Sequence, residues 1–135
     1  MGNKIDVNLL SKEVMEYLEN YFEDIEEQVE IVTNEVGKDA VKELKEKSPH
    51  GKGKRNKPYY KGWRIKKDRK VANEYRIKIH NSTNYQLTHL LEFGHATVNG
   101  GHTKAIPHIR PIEEKYKKIF EEKIKKAIRR ESLWI

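Results

Sequence analysis

Between Val7 and Leu44 the apolar residues Val7, Leu10, Val14, Tyr17, Leu18, Tyr21, Ile25, Val29, Val32, Val36, Ala40 and Leu44 recur at steps of three and four. That spacing lays them along one side of an α-helix. It continues without a turn signal to Ser48-Pro49, where proline pushes the residue before it out of the helical region. A single helix is therefore predicted over 8–47, with Asn8 or Ser11 as its cap. Glu23, Asp24, Glu26, Glu27 and Glu30 form its acidic outer face. Gly37 costs about 1 kcal/mol relative to alanine inside a helix, so a kink is expected near Asn34–Gly37. A helix this long in a chain of 135 residues either projects or packs against a neighbour.

Beyond Pro49 the elements are shorter and mixed. Residues 50–58 (HGKGKRNKP) hold no apolar side chain, so nothing offsets the entropy of ordering them and a mobile loop is expected. Residues 59–67 and 74–80 are β-rich; in the second, Tyr75, Ile77 and Ile79 alternate with Arg76, Lys78 and His80, the period of a half-buried strand. Residues 68–73 would turn between them, and Asn81–Asn84 would end the second strand. A short helix over 85–93 is expected to bury Leu87, Leu90, Leu91 and Phe93, stopping at Gly94. A loop over 95–106 centres on Asn99-Gly100-Gly101, where Asn-Gly suits a tight hairpin turn. A last helix over 107–131, entered through Pro107 and Pro111, carries a core stripe of Ile112, Tyr116, Ile119, Phe120, Ile124, Ala127 and Ile128. The expectation is one α+β domain over 1–135: a long N-terminal and a C-terminal helix packed on a small antiparallel β-sheet, with two long loops.

Hydrophobic and charged residues each make up 36% of the chain, which predicts a thin core and elements that want a partner to cover them. The charge is segregated. Residues 1–47 hold 6 Lys/Arg against 13 Asp/Glu, and residues 48–135 hold 22 against 8. Such asymmetry suits a nucleic-acid face, or head-to-tail stacking of identical subunits, or simply two solvated faces. The absence of cysteine excludes disulfides, thiolate metal sites and cysteine nucleophiles. No apolar run approaches the roughly 18 residues that span a bilayer. The first ten residues lack the apolar core of a signal peptide, and Asp6 stands where myristoylation wants Ser or Thr. A soluble intracellular product with no membrane partner is expected.

Four of the six histidines, His89, His95, His102 and His108, lie within residues 88–111. His89, Glu92 and His95 are spaced i, i+3, i+6, which fans them over roughly 240° of a helix. Zinc helices instead place two histidines at i and i+4, so no metal and no cofactor is expected. Histidines among cations can cleave a phosphodiester, as in a small ribonuclease toxin, but no carboxylate orienter or nucleophile is paired with one by spacing. Residues 50–80 hold twelve Lys/Arg against Asp68 and Glu74, interleaved with Tyr59, Tyr60, Trp63 and Tyr75. Basic side chains release counterions from phosphates and aromatics stack on bases, so non-specific DNA contact is a reading of a different class. Trp63 and Tyr75 serve equally as core.

The ordered set of elements carries a resemblance. A long amphipathic helix ends in Ser48-Pro49, and a strand opens at Tyr60-Lys61-Gly62-Trp63. Then come Asn81-x3-Tyr85-x3-His89-Leu90-Leu91-Glu92-x-Gly94-His95, a glycine-rich gap, Pro107-His108-Ile109-Arg110-Pro111 and a basic helix. This is similar to the tail-component family of long-tailed phages and prophages, the gene-product-ten type of the HK-ninety-seven group. Residues 50–59 depart from the family's pattern, being longer and more basic than the usual turn after the helix-ending proline. The resemblance implies a virion structural protein assembled in the bacterial host cytoplasm: a neck or tail-completion ring that docks tail to connector without catalysis. Its partners would be itself, connector or head-completion proteins, and tail-tube or tail-terminator proteins. Leu91, Glu92, Gly94, Pro107, His108, Arg110 and Pro111 would anchor a projecting loop. His95, Asn99, Gly100, Gly101, His102 and Lys104 would make its partner contact. Lys52, Lys54, Arg55 and Lys57 would face DNA or an acidic partner. The alternatives are a basic nucleic-acid-binding protein and, after it, the ribonuclease.

Overall fold

The fold was analysed in a computed structural model that describes residues 7–67 and 75–133. Helix α1 spans Val7–Lys47, within a residue of its predicted bounds. Asn8 and Ser11 lie inside the helix, so neither is its N-cap. The helix is unbroken through Asn34–Gly37. Gly37 serves packing: a Cβ there would collide with Ile77 Cδ1 and lie 3.4 Å from Ile65 Cδ1. The missing side chain lets a β-hairpin lie close against the helix.

That hairpin pairs β1 (Trp63–Lys67) with β2 (Ile77–Asn81), antiparallel, with Trp63 opposite Asn81 and Lys67 opposite Ile77. Both strands are shorter than expected. Tyr59–Lys61 form a 3-10 turn rather than the start of a strand, and Tyr75 precedes β2. The Tyr75 hydroxyl donates to Asn34 Oδ1 at 2.6 Å, which ties it to α1 by its tip. The predicted turn over 68–73 lies outside the described residues.

Helix α2 (Gln86–Phe93) and helix α3 (Ile109–Leu133) come next. The second half of α1 packs along α3, and the hairpin closes over them. The core joins Ala40, Leu44, Tyr59, Trp63 and Ile112, with Val41, Ile79, Leu87, Leu91, Ile109 and Tyr116 packed around it. Trp63 is therefore core, not a stacking platform. Two expectations for α2 are corrected. Leu90 and Phe93 are exposed, and the buried residue of this helix is Glu92. On α3, Ile112 is buried, while Ile128 is exposed.

Two ion pairs lace α1 to α3: Lys115 Nζ reaches Glu43 at 2.9 Å and Lys123 Nζ reaches Glu35 at 2.8 Å. The Tyr116 hydroxyl and Lys115 hold the Glu43 carboxyl below the ordinary range. Glu43 in turn pushes the Tyr116 phenol up to about 12.

Candidate assembly site

The link between α2 and α3 is the segment that a helix pair of this kind does not need. Gly94 ends α2 with φ 73° and ψ 173°, a conformation open essentially to glycine alone. A Cβ there would meet the Thr103 carbonyl oxygen at 2.5 Å. Two backbone strands thus cross at Gly94 and begin a small hairpin. The Thr103 N–H donates to the His95 carbonyl at 2.8 Å, Thr97 N–H to the Gly101 carbonyl at 2.8 Å, and Gly100 N–H to the Thr97 carbonyl at 3.1 Å. Ala96 and His102 form the bridge between the two arms. Gly100, at φ 79°, supplies the left-handed residue that the turn requires. His95, Asn99, Gly100, Gly101, His102 and Lys104 are all exposed, and Val98 at the tip is bare.

The base of this hairpin is built in the opposite way. The first turn of α3 has backbone N–H groups with no helical acceptor. The Glu92 carboxylate supplies one from α2. Its Oε2 accepts the N–H groups of His108 at 2.8 Å and Ile109 at 2.9 Å, and its Oε1 accepts that of Arg110 at 3.0 Å. Glu92 is 6% exposed. Burial alone would raise its carboxyl, but the three backbone donors outweigh burial and hold it below the ordinary carboxylate value. The negative charge also lies at the positive end of the α3 dipole.

His108, 2% exposed, completes the base. The Ile106 carbonyl can only accept, so His108 Nδ1, 2.7 Å away, carries the proton. Nε2 then accepts from the Tyr59 hydroxyl at 2.7 Å. Tyr59 is the most deeply buried side chain of the core; burial and the Glu92 charge push its phenol well above its ordinary value. On its other side the Tyr59 ring meets Trp63 edge-on at 5.6 Å. Trp63 Nε1 donates to Ser48 Oγ at 2.7 Å, and Ser48 Oγ donates to the Leu44 carbonyl. A buried chain of hydrogen bonds, joined by the ring contact of Tyr59 and Trp63, therefore runs from the end of α1 to the start of α3. The Ile106 N–H, bonded to the Leu91 carbonyl at 2.8 Å, pins the returning strand.

A second set of contacts orders the basic loop that was expected to be mobile. Tyr59 N–H donates to the Lys52 carbonyl at 3.0 Å and Lys57 N–H to the Lys54 carbonyl at 3.1 Å. Gly53 bridges to Pro58. Buried Asn84 donates from Nδ2 to the Lys57 carbonyl at 2.8 Å, and buried Asn81 donates to the Tyr59 carbonyl at 2.7 Å while accepting the Asn84 N–H at 2.8 Å. Side-chain amides supply the order that apolar burial does not. Lys52, Lys54, Arg55 and Lys57 remain exposed. Lys54 and Lys57 join Lys61 and Arg64 around a polar cleft of about 520 Å³ that, among the described residues, no acidic side chain lines.

The structure thus divides the site residues predicted from sequence. Leu91, Glu92, Gly94 and His108 come together as the base of the loop. Pro107, Pro111 and the side chain of Arg110 are exposed; Arg110 anchors through its backbone N–H, and its guanidinium pairs with Glu114 at 3.2 Å. Among the described residues, no three histidine or acidic side chains converge as metal ligands. His108 is sealed under the loop, where no phosphodiester can reach it. Sequence reasoning missed Tyr59 and Ser48 as members of the base and Asn84 as a residue that orders the basic loop. Their only signal was a polar group, which does not name a partner.

A comparison with protein-family models matches residues 12–94 to the family described as "Bacteriophage HK97-gp10, putative tail-component". The match takes in α1, the basic loop, the hairpin and α2 up to Gly94, where the exposed hairpin begins; residues 95–135 lie beyond it. Neither the curated proteins nor the solved structures return a match. More than half of the chain, including the helix that carries Glu92, fits that one description, and the chain belongs to the HK97-gp10-like family of phage tail components.

Proposed function

We propose that this protein completes the head–tail junction of a phage or prophage particle, assembling as a ring and docking tail to connector without catalysis. The observation that carries this reading is the contrast within residues 91–108: a base sealed by Glu92, His108 and Tyr59, and a tip whose side chains are bare from His95 to His102. A rigid mount under an exposed, polar, glycine-bearing hairpin is the geometry of a contact element, because docking loses little entropy when the loop is already shaped. In this reading His95, Asn99, His102 and Lys104 meet the next subunit or the tail. Connector or head-completion proteins and tail-tube or tail-terminator proteins are the partners, and the virion is the location. The cleft between Lys54, Lys57, Lys61 and Arg64 faces DNA passing through the junction.

The test is to shorten residues 97–104 to a tight turn. The truncated protein should keep its fold, since the base lies outside the deletion, and should fail to restore infectivity to particles lacking this gene product. Truncated protein that still joins heads to tails would show that the hairpin is not the contact.

A further inference from the structure

Helix α1 is two helices in one. Its second half lies in the core from Val32 onward. Every side chain from Lys12 to Asn20 is exposed, including Val14 at 47% and Leu18 at 37%. Val14, Leu18, Tyr21 and Ile25 succeed one another at steps of four, three and four, so they form a single apolar stripe. Glu13, Glu16, Glu19, Glu23, Asp24 and Glu26 flank it. Val14 and Leu18 are exposed, while Tyr21 and Ile25 are half-buried.

The same domain holds an apolar groove of about 570 Å³ between the second half of α1, the hairpin and α3. Val36, Ala40, Ile77, Ile112, Tyr116 and Phe120 line it, with Lys117 at its rim. Arg76 also lines it, as does one acidic residue, Glu113; the strand cations Arg64, Lys66 and Lys78 alternate with Ile65, Ile77 and Ile79 and lie on the outer face of the hairpin. The groove is narrow for a whole helix, about 10 Å across, and suits one row of side chains.

We infer that the stripe Val14–Ile25 of one subunit seats in the groove of a second copy of this chain. Its own copy cannot fill the groove. Leu18 and Val36 sit on one continuous helix, about 27 Å apart at 1.5 Å per residue, and the stripe would have to break α1 to reach back. Two stripes zipped together would set acidic flank against acidic flank, which the charge pattern opposes. Stripe into groove brings the acidic half of α1 to Arg76 and Lys117 beside the single acid Glu113, and the excess of 22 Lys/Arg over 8 Asp/Glu in residues 48–135 steers the encounter. The contact is heterologous, so repeating it closes a ring or extends a filament. The inference deepens the proposed ring and rests on it, naming the surfaces that would join its subunits.

The cysteine-free chain allows a direct trap. Leu18→Cys is made in one preparation, and Phe120→Cys, or Lys117→Cys at the exposed rim, in another that carries a size tag. The two are mixed under oxygen with a copper catalyst, and the disulfide-linked products are separated by mass. The expected main product contains one chain of each kind, whereas either variant alone stays mostly unlinked. Adding Val14→Glu to the Leu18→Cys chain, or raising the salt, should cause loss of that product. Circular dichroism of each variant guards against misfolding, and the rim variant leaves the core untouched. A main product joining two Leu18→Cys chains would overturn the inference in favour of paired stripes. No mixed product would overturn it outright, because trapping is irreversible and accumulates even a weak contact. The trap does not depend on head–tail joining. A positive trap in a protein whose shortened 97–104 hairpin still joins heads to tails would keep the interface and retire the hairpin's role.

Discussion

Glu92 Oε2 accepts the backbone N–H of His108 at 2.8 Å across sixteen residues of chain, and its carboxylate caps α3 from outside the helix. The loop that leaves α2 and the helix that receives it are thus fastened by one buried side chain. Glu92→Ala strands three N–H groups beneath the loop and should destabilise the fold by about 2–4 kcal/mol. Glu92→Gln keeps an amide oxygen as acceptor and should cost less than half as much. Urea unfolding of both variants measures the difference; equal losses would mean that the carboxylate is not the cap.

Acid should loosen the same fastening. The folded values of Glu92 and Glu43 both lie below the ordinary 4.5, so both carboxylates bind protons more weakly in the folded chain than in the unfolded one. Their contribution is complete above the unfolded value and is lost as pH falls through the folded values. The melting temperature should be level above about pH 5 and fall below it, and Glu92→Gln should make the fall shallower.

Gly94 and Gly37 should respond differently to the same substitution. At Gly94 an added Cβ meets a backbone oxygen, Thr103 O at 2.5 Å, in a conformation with φ 73°. Gly94→Ala should cost about 1–3 kcal/mol and speed hydrogen exchange at the Thr103 and Ile106 amides. At Gly37 the Cβ meets the far end of the Ile77 side chain, which can rotate away. There the gain in helix propensity of about 1 kcal/mol offsets much of the crowding, and calorimetry should find the smaller change.

Ser48→Ala removes both the acceptor of Trp63 Nε1 and the hydroxyl at the end of α1. Stranding the indole N–H should cost about 1–3 kcal/mol. Combining it with Trp63→Phe, which has no N–H to strand, should give a total loss smaller than the sum of the two single losses. Strict additivity in denaturant would show that the pair is not coupled.

The cleft lined by Lys54, Lys57, Lys61 and Arg64 should give a binding signal that depends on charge and not on sequence. Fluorescence anisotropy with unrelated DNA duplexes should return similar affinities that weaken steeply with salt. Replacing Lys57 and Arg64 with alanine should reduce the slope of log affinity against log salt by about 2. An unchanged slope would place any DNA contact elsewhere.

The elements themselves were legible because each is written in local periodicity. Three- and four-residue spacing and Ser48-Pro49 located α1 to within a residue, alternation at Ile77 and Ile79 located a strand, and Asn99-Gly100 marked a hairpin turn. Periodicity says that a face is apolar; it does not say what will cover it. Leu90 and Leu91 look alike in sequence, yet the packing of α2 leaves Leu90 exposed and brings Leu91 against the core. The order of residues 50–58 was hidden because it comes from Asn81 and Asn84, more than twenty residues onward, and composition alone pointed to a mobile loop. Glu92, His108, Tyr59 and Ser48 were each visible as polar residues, and their union was not. Hydrogen bonds between residues 15 to 49 apart in sequence exist only once the chain has brought α1, α2 and α3 together, and the desolvation that makes those bonds necessary is itself a product of the fold. Tertiary packing also decided that the apolar pattern of α1, uniform along the sequence, becomes core from Val32 onward, is half-buried at Tyr21, Ile25 and Val29, and is exposed at Val14 and Leu18.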